Sequence, residues 1–171
     1  MTQRIASYPG TALSEEEIAQ GRVLSVHDRL RADYAWDAGL AIGRYLDGLK
    51  AGVILGVRCQ RCNRTVVPPR AFCEQCFAPM EAFVPLAGVG TVNTFSLCYV
   101  TWDVKRIAEP LIPAVIDLDG TSPPAGIMHL LGGVAPDRVR IGMRVRAVWK
   151  SARARQGAIT DIRYFKPLRR G

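Results

Sequence analysis

Four cysteines in two Cys-x-x-Cys pairs constrain the fold of this chain more than any other feature. Cys59 and Cys62 form the first pair, and Cys73 and Cys76 form the second after ten intervening residues. Two such pairs can place four thiolates at the corners of a tetrahedron, which is the ligand set of a structural Zn²⁺ site. Because four thiolates leave no coordination position open for water, we expect the metal to fold a short segment rather than to catalyse a reaction.

Other uses of the same cysteines are two disulfides, a rubredoxin-like iron centre that carries electrons, and a redox-active cysteine pair. Disulfides belong to oxidising compartments, and residues 1–10 lack the long apolar core of a secretory signal. Iron fits the same four sulfurs and stays open as an alternative. The spacer carries Pro68-Pro69, which suits an extended reversal of the chain and cannot lie inside a helix. We therefore predict a zinc ribbon with four cysteine ligands.

The charge of the chain is concentrated near its C-terminus. The net charge is +8, and from Arg138 onward there are eleven basic residues and a single acid, Asp161. Such a segment suits a nucleic acid, a phosphate-bearing ligand or an acidic protein face, although a solvated strand face with a basic tail would look the same. With 171 residues, 49% of them hydrophobic, and no apolar run long enough to span a bilayer, we expect one or two small domains in a cytoplasmic protein.

Two helices are predicted before the ribbon. Ser14 and Glu17 match a capping box, so a short helix should run to about Gln20. Residues 22–36 fit either a strand or a helix and stay open. Residues 37–50 have apolar positions at helical spacing, and Gly52 supplies a stop; the apolar positions are Ile42, Tyr45, Leu46 and Leu49.

A β-rich pattern follows the second cysteine pair. Gly-containing turns separate five predicted strands, which are Val89–Trp102, Ile112–Leu118, Ala125–Leu131, Met143–Trp149 and Ala158–Phe165. Five strands in so short a segment fit a small closed barrel of the OB type, whereas a sandwich of five strands would be thin and would leave its edges open. The predicted fold is therefore mainly β with N-terminal helices, a zinc ribbon and a five-stranded OB-fold barrel.

The remaining chemically active side chains do not assemble a catalytic motif in the sequence. Cys98 has no nearby cysteine and is interpreted as a buried packing thiol. His27 and His129 have no partner in sequence and are interpreted as structural. No Ser-His-Asp order, Gly-rich phosphate loop or His-Glu pairing is present.

Several segments together point to one family. They are Gly39 through Leu49-Lys-Ala-Gly52, Val57-Arg-Cys59-Gln-Arg-Cys62, Pro68-Pro69-Arg70, Phe72-Cys73-Glu-Gln-Cys76, Gly90-Thr-Val-Asn-Thr-Phe95-Ser, Ile112-Pro-Ala-Val-Ile-Asp-Leu-Asp119-Gly, Ile141-Gly-Met-Arg-Val145 and Tyr164-Phe-Lys-Pro167. In this order the chain resembles, from Trp36 to Leu168, the acyl-CoA-associated proteins called domain of unknown function 35, in which a rubredoxin-like zinc ribbon precedes an OB-fold.

The resemblance implies a non-catalytic accessory subunit that joins a thiolase-like catalytic subunit and helps to bind or shield CoA or acyl-CoA. By analogy, the small subunit of benzoylsuccinyl-CoA thiolase is the first subgroup to consider. The resemblance does not explain residues 1–36, which we expect to wrap a partner. The predicted domains are thus 1–36 as an extension, 37–85 as helix plus ribbon, and 86–171 as the OB-fold with its basic segment.

Two basic clusters are candidates for CoA phosphate contacts. One is Trp102 with Lys105 and Arg106, and the other is Arg64 with Arg70 on the ribbon. Ordinary exposed loop charges stay open as the alternative for both clusters, and a partner-surface anchor stays open for Trp102. The alternative function is a single-stranded nucleic-acid-binding module, since OB barrels and four-cysteine ribbons both bind nucleic acid. The small number of aromatic residues that look exposed argues against it, because stacking needs several.

Overall fold

A computed structural model describes residues 14–22 and 34–168 of the chain. The chain divides into two compact units, Met1–Trp36 and Asp37–Gly171. Residues 23–33 lie outside the described residues. They include His27 and most of the segment 22–36, for which helix and strand stayed open. The division into 1–36, 37–85 and 86–171 stays a prediction.

Within residues 14–22 and 34–36 of the first unit, the structure shows one short helix, α1 (Glu15–Ala19). The Ser14 hydroxyl accepts the Glu17 N–H at 3.2 Å, and the Glu17 carboxylate accepts the Ser14 N–H at 3.1 Å. Hydrogen bonds from Ser14 lower the pKa of Glu17, and the reciprocal pair confirms the predicted capping box.

The second unit begins with α2 (Gly39–Ala51). Tyr45 and Leu49 of the predicted stripe are buried, whereas Ile42 is 36% exposed. Gly52 has a φ of 83° and its N–H donates to the Leu49 carbonyl, so it ends the helix as predicted.

The ribbon is built on a three-stranded antiparallel sheet in the order β2-β1-β3. The strands are β1 (Ile54–Arg58), β2 (Thr65–Val66) and β3 (Ala82–Leu86). Strand β1 leads directly into Cys59 and β2 follows Cys62 by three residues, so the sheet brackets the first cysteine pair.

The rest of the second unit contains a five-stranded sheet in the order β10-β9-β4-β7-β8. Each neighbouring pair in this sheet is antiparallel. The strands are β4 (Val89–Phe95), β7 (Pro113–Leu118), β8 (Ile127–Leu130), β9 (Arg144–Trp149) and β10 (Ile162–Pro167). This arrangement confirms the predicted fold class, mainly strands with a ribbon before an OB-fold sheet.

The two edges of that sheet meet only at one end. A single parallel bridge joins Leu131 to Phe165, and the Gly132 N–H donates to the Phe165 carbonyl at 2.9 Å. The hydrogen-bonded ladder is therefore not continuous, and the prediction of a closed barrel is wrong on this point.

The long first strand predicted over 89–102 is wrong in its second half. Strand β4 ends at Phe95, and β5 (Cys98–Val100) pairs instead with β6 (Arg106–Leu111) as a separate two-stranded hairpin. Strand β6 was not predicted because it contains Glu109-Pro110, and proline is tolerated only on edge strands. Cys98 is half-buried in this hairpin rather than enclosed in the core.

Three 3₁₀ turns complete the described part of the OB-fold: Pro136–Arg138, Ala152–Ala154 and Ile159–Asp161. Asp161, the lone acid of the basic segment, is fully buried and accepts N–H groups from Gln156, Gly157 and Ala158. Burial alone would raise its pKa, but these N–H groups and Lys150 hold the pKa below its usual value. Asp161 therefore fastens the loop between β9 and β10.

None of the helices within residues 14–22 and 34–168 has the length and hydrophobicity that a membrane-spanning helix requires.

Candidate metal centre and exposed surfaces

The four predicted metal ligands converge on one point. The sulfurs of Cys59, Cys62, Cys73 and Cys76 all lie within 4.8 Å of one another. Cys59 Sγ is 3.6 Å from Cys76 Sγ, and Cys73 Sγ is 3.9 Å from Cys62 Sγ. A tetrahedral zinc with Zn–S bonds of about 2.3 Å requires sulfurs about 3.8 Å apart. The donor set therefore fits zinc.

The backbone around the two cysteine pairs is nearly the same. The Cys59 N–H donates to the Arg64 carbonyl at 2.7 Å, and the Cys73 N–H donates to the Ala78 carbonyl at 2.9 Å. Each bond spans five residues from the first cysteine of its pair. The Cys62 N–H also donates to Cys59 Sγ at 3.3 Å. Both turns thus aim their sulfurs at a common centre.

Both turns depend on a left-handed residue that the sequence analysis missed. Asn63, with a φ of 59°, follows Cys62, and Phe77, with a φ of 55°, follows Cys76. Asparagine tolerates this region, but a bulky aromatic residue rarely adopts it. Glycine would have signalled the turn in the sequence, whereas Phe77 gave no such signal.

The thiols share protons through hydrogen bonds, and hydrogen bonds shift the pKa values of Cys62 and Cys73. N–H groups of Cys76 and Gln75 lower the pKa of Cys73 to about 7. Hydrogen bonding with Cys76 raises the pKa of Cys62 to about 12. A bound cation takes the place of such shared protons, because thiolates are the metal ligands. Four sulfur ligands, two of them fully buried, leave no position for substrate, so the centre is a structural one.

The ribbon cluster predicted to contact CoA forms ion pairs within the protein. Arg64 donates to the Pro123 carbonyl at 3.0 Å and to the Glu74 carboxylate at 2.9 Å. Arg70 lies 3.6 Å from the same carboxylate. Arg64 thus ties the ribbon to the loop after β7, and a CoA contact for this pair stays a prediction.

The second predicted cluster lies at the turn of the β5–β6 hairpin. The Trp102 side chain is 96% exposed and that of Val104 is 81% exposed. Lys105 Nζ is 2.6 Å from the Asp103 carboxylate and lowers its pKa. Arg106 is exposed at the start of β6. The hairpin brings these side chains together, and their contact with CoA stays a prediction.

An apolar groove lies between α2 and the ribbon. A groove of about 540 Å³ is lined by the first turns of α2 and by the segment around the second cysteine pair. Leu40 is 89% exposed and Phe72 is 59% exposed in this groove. Neighbouring large apolar side chains left in water mark an interaction surface more often than isolated ones do.

The fold and the metal centre define a class, the zinc-ribbon proteins that carry an OB-fold. The family model of the ChsH2 rubredoxin-like zinc ribbon domain matches residues 46–81, and that of the ChsH2 C-terminal OB-fold domain matches residues 83–150. A DUF35 domain-containing scaffold protein of Methanocaldococcus jannaschii is 31% identical over 118 residues, which are 67% of this chain and 82% of the relative. The chain belongs to the DUF35 family.

Solved structures show the same architecture. A DUF35-family protein of unknown function from Sulfolobus solfataricus is 25% identical with a TM-score of 0.52, over 61% of this chain and 75% of its own. A chain described as Ltp2-ChsH2(DUF35) aldolase has a TM-score of 0.56 and 22% identity, over 80% of this chain and 98% of its own. At that identity the second likeness supports the fold alone.

Proposed function

We propose that this chain is a non-catalytic accessory subunit of a thiolase-type complex that processes acyl-CoA, with zinc as its structural metal. The Methanocaldococcus relative is called a scaffold protein, and one solved relative is described as an aldolase that contains a DUF35 chain. The first description belongs to a relative in sequence and the second to a structure with the fold found here, and both suit an accessory role for this chain.

The observation that carries the proposal is the exposure of Trp102. This side chain stands 96% exposed at the turn of a hairpin that leaves the five-stranded sheet, with Val104 exposed beside it. Val104 has a φ of 63°, a region that β-branched residues almost never adopt. Strained turns that present a bare tryptophan are features of binding surfaces, where tryptophan is enriched among the residues that dominate affinity.

In the proposed complex the hairpin would enter an apolar pocket of the catalytic subunit. Lys105 and Arg106 would then lie at the rim of that contact, where cations can attract the phosphates of CoA. Arg64 and Arg70 form the other proposed contact with CoA, from the ribbon. The partner would supply the catalytic groups, and this chain would bridge subunits and cover the CoA.

Affinity purification from the native host tests the proposal. We expect the tagged wild-type chain to recover a thiolase-like subunit in stoichiometric amount, together with one zinc per chain by metal analysis. Trp102→Ala should reduce recovery of that subunit about tenfold or more. Met128→Ala is the matched control, since Met128 is 73% exposed on β8 of the OB-fold sheet and should retain the partner.

Recovery of the wild-type chain alone or with nucleic acid would contradict the accessory function. If Trp102→Ala and Met128→Ala recovered equal amounts of the partner, the hairpin would not be the anchor. If the purified protein is red and contains one iron per chain, the metal is iron rather than zinc, and the centre would carry electrons.

A further inference from the structure

Two cations face each other on the β9–β10 ladder. Arg146 of β9 and Lys166 of β10 are directly opposite residues in the antiparallel register. Like charges at directly opposite positions destabilise a sheet. Their placement therefore costs stability unless an anion lies between or above them.

The neighbouring arginine shows how this fold neutralises a cation when it needs to. Arg144 lies on the same face of β9, two residues before Arg146. Its guanidinium donates to both oxygens of Asp119, one at 2.6 Å, and to the Thr91 hydroxyl at 3.0 Å. Within residues 14–22 and 34–168, neither Arg146 nor Lys166 forms an ion pair with a carboxylate.

The two cations line a cavity of about 470 Å³ together with Gly133, Pro167 and Leu168. This volume is in the range of small-molecule sites. Gly133, which has a φ of 66°, lines the cavity beside Lys166 and adds no side chain to it. Gly132 before it lies against the Tyr164 ring, where a Cβ would come within 2.7 Å. Two consecutive glycines thus bring the main chain over β10 and leave the cavity open above Lys166.

We propose that Arg146 and Lys166 form a phosphate-binding site for a small phosphorylated nucleotide. A guanidinium can donate two parallel N–H groups to two phosphate oxygens, and an ammonium adds a compact charge on the other side. A bound dianion would also remove the repulsion between the two side chains. The identification of the ligand as the phosphorylated nucleotide end of CoA rests on the proposed function.

The other basic clusters are weaker candidates for this phosphate. Lys105 already pairs with Asp103, and both Arg64 and Arg70 contact the Glu74 carboxylate. A phosphate at either place would have to compete with a carboxylate that is already bound. The Arg146–Lys166 site has no such competitor among the described residues.

Calorimetric titration of the full zinc-loaded chain tests the site. The probes are adenosine 3′,5′-bisphosphate, inorganic phosphate and a single-stranded oligonucleotide, each at low salt because such contacts are screened. We expect the double variant R146Q/K166Q to bind the bisphosphate about tenfold or more weakly than wild type. The matched control R140Q/R153Q removes the same charge from two exposed arginines outside this cavity and should stay within about twofold.

The midpoint of thermal unfolding is a second readout, which would reveal a variant that fails to fold. Because R146Q/K166Q removes a like-charge pair, its midpoint should not fall below that of wild type. Weaker binding of the bisphosphate by R146Q/K166Q at an unchanged midpoint supports the site, and parallel weakening for inorganic phosphate assigns the contact to the phosphate itself.

Three results would overturn the proposal. They are a wild-type chain that binds no bisphosphate, an equal or greater loss in R140Q/R153Q, and a loss confined to the oligonucleotide, which would indicate nucleic acid. None of them depends on recovery of a catalytic subunit. Failure of the accessory function would instead appear in the purification as a chain without partner.

Discussion

The ribbon and the OB-fold of this chain are stabilised in different ways. The buried cluster of the ribbon contains six residues, and two of them are metal ligands; these six are Val57, Cys59, Val66, Cys73, Met80 and Ala125. The cluster around the five-stranded sheet contains fifteen buried residues, with no cysteine among them. A segment with so small an apolar core needs a metal to stay folded, whereas the sheet can be held by burial alone.

This difference in stabilisation also affects which functions the surface of each part can have. The ribbon gains rigidity from a closed metal site, so its surface residues are free to face a partner. The OB-fold gains rigidity from its core, and the exposed face of its sheet can carry charges such as Arg146 and Lys166, which form no ion pair with the described residues. Each part is therefore expected to fail under a different perturbation.

Loss of the metal should have the largest effect and should fall on the ribbon. We expect Cys73→Ser, or removal of zinc by a chelator, to unfold β1 to β3, because structural zinc contributes on the order of 10 kcal/mol to such segments. Amide hydrogen exchange should show loss of protection at Val57 and Val66 and retained protection at Val92 and Ile116. Cys98→Ser, outside the metal site, is the control and should keep both parts protected.

Simultaneous loss of protection in both parts would contradict this separation. It would mean that the hydrogen bonds between ribbon and OB-fold, from Arg64 to Pro123 and from Thr65 to Ser122, couple their unfolding. The comparison between the two parts would then describe one cooperative unit.

A cavity in the OB core should have the next largest effect and should spare the metal centre. Phe165 is fully buried and lies where the two sheet edges meet. Phe165→Ala should lower the free energy of unfolding by about 3–5 kcal/mol, because it removes buried area and leaves a cavity. The measurement is urea denaturation followed by tryptophan fluorescence, with zinc content determined on the same samples.

Tyr99→Ala provides the control for that experiment, since Tyr99 is 46% exposed on the hairpin. It should change the free energy of unfolding by less than about 1 kcal/mol. Release of zinc by Phe165→Ala under native conditions would show that the ribbon depends on the OB core.

The metal centre was predictable from the sequence because ligand chemistry requires a fixed spacing. Cysteine pairs at 59/62 and 73/76 leave few geometries, and the structure brings all four sulfurs together. Helix α2 was predictable for a similar reason, since Tyr45 and Leu49 recur at helical spacing and Gly52 ends the helix.

The features that depend on contacts distant in sequence were not predictable. The β-rich pattern continues through Ser96 and Leu97, so nothing local marks the point where β4 ends and the hairpin begins. The pairing of Arg146 with Lys166 depends on the register between β9 and β10, and a bulge in β10 shifts that register. Sequence spacing places residues along a strand but does not say which residues face each other.

The smallest predicted effect concerns Phe77, where the ribbon retains backbone strain. Its φ of 55° costs a non-glycine residue about 1–2 kcal/mol, part of which glycine would lose again through the entropy of the unfolded chain. Phe77→Gly should therefore stabilise the zinc-loaded ribbon by about 1 kcal/mol in chemical denaturation. Asn63→Gly, at the equivalent turn, should give no gain, because asparagine tolerates this region and Asn63 accepts a hydrogen bond from Arg58 at 2.8 Å.

Equal changes in both variants would mean that strain at Phe77 is already relieved by its surroundings. Because Phe77 is 79% exposed, a gain in stability accompanied by weaker partner recovery would identify the side chain as one that is retained for binding.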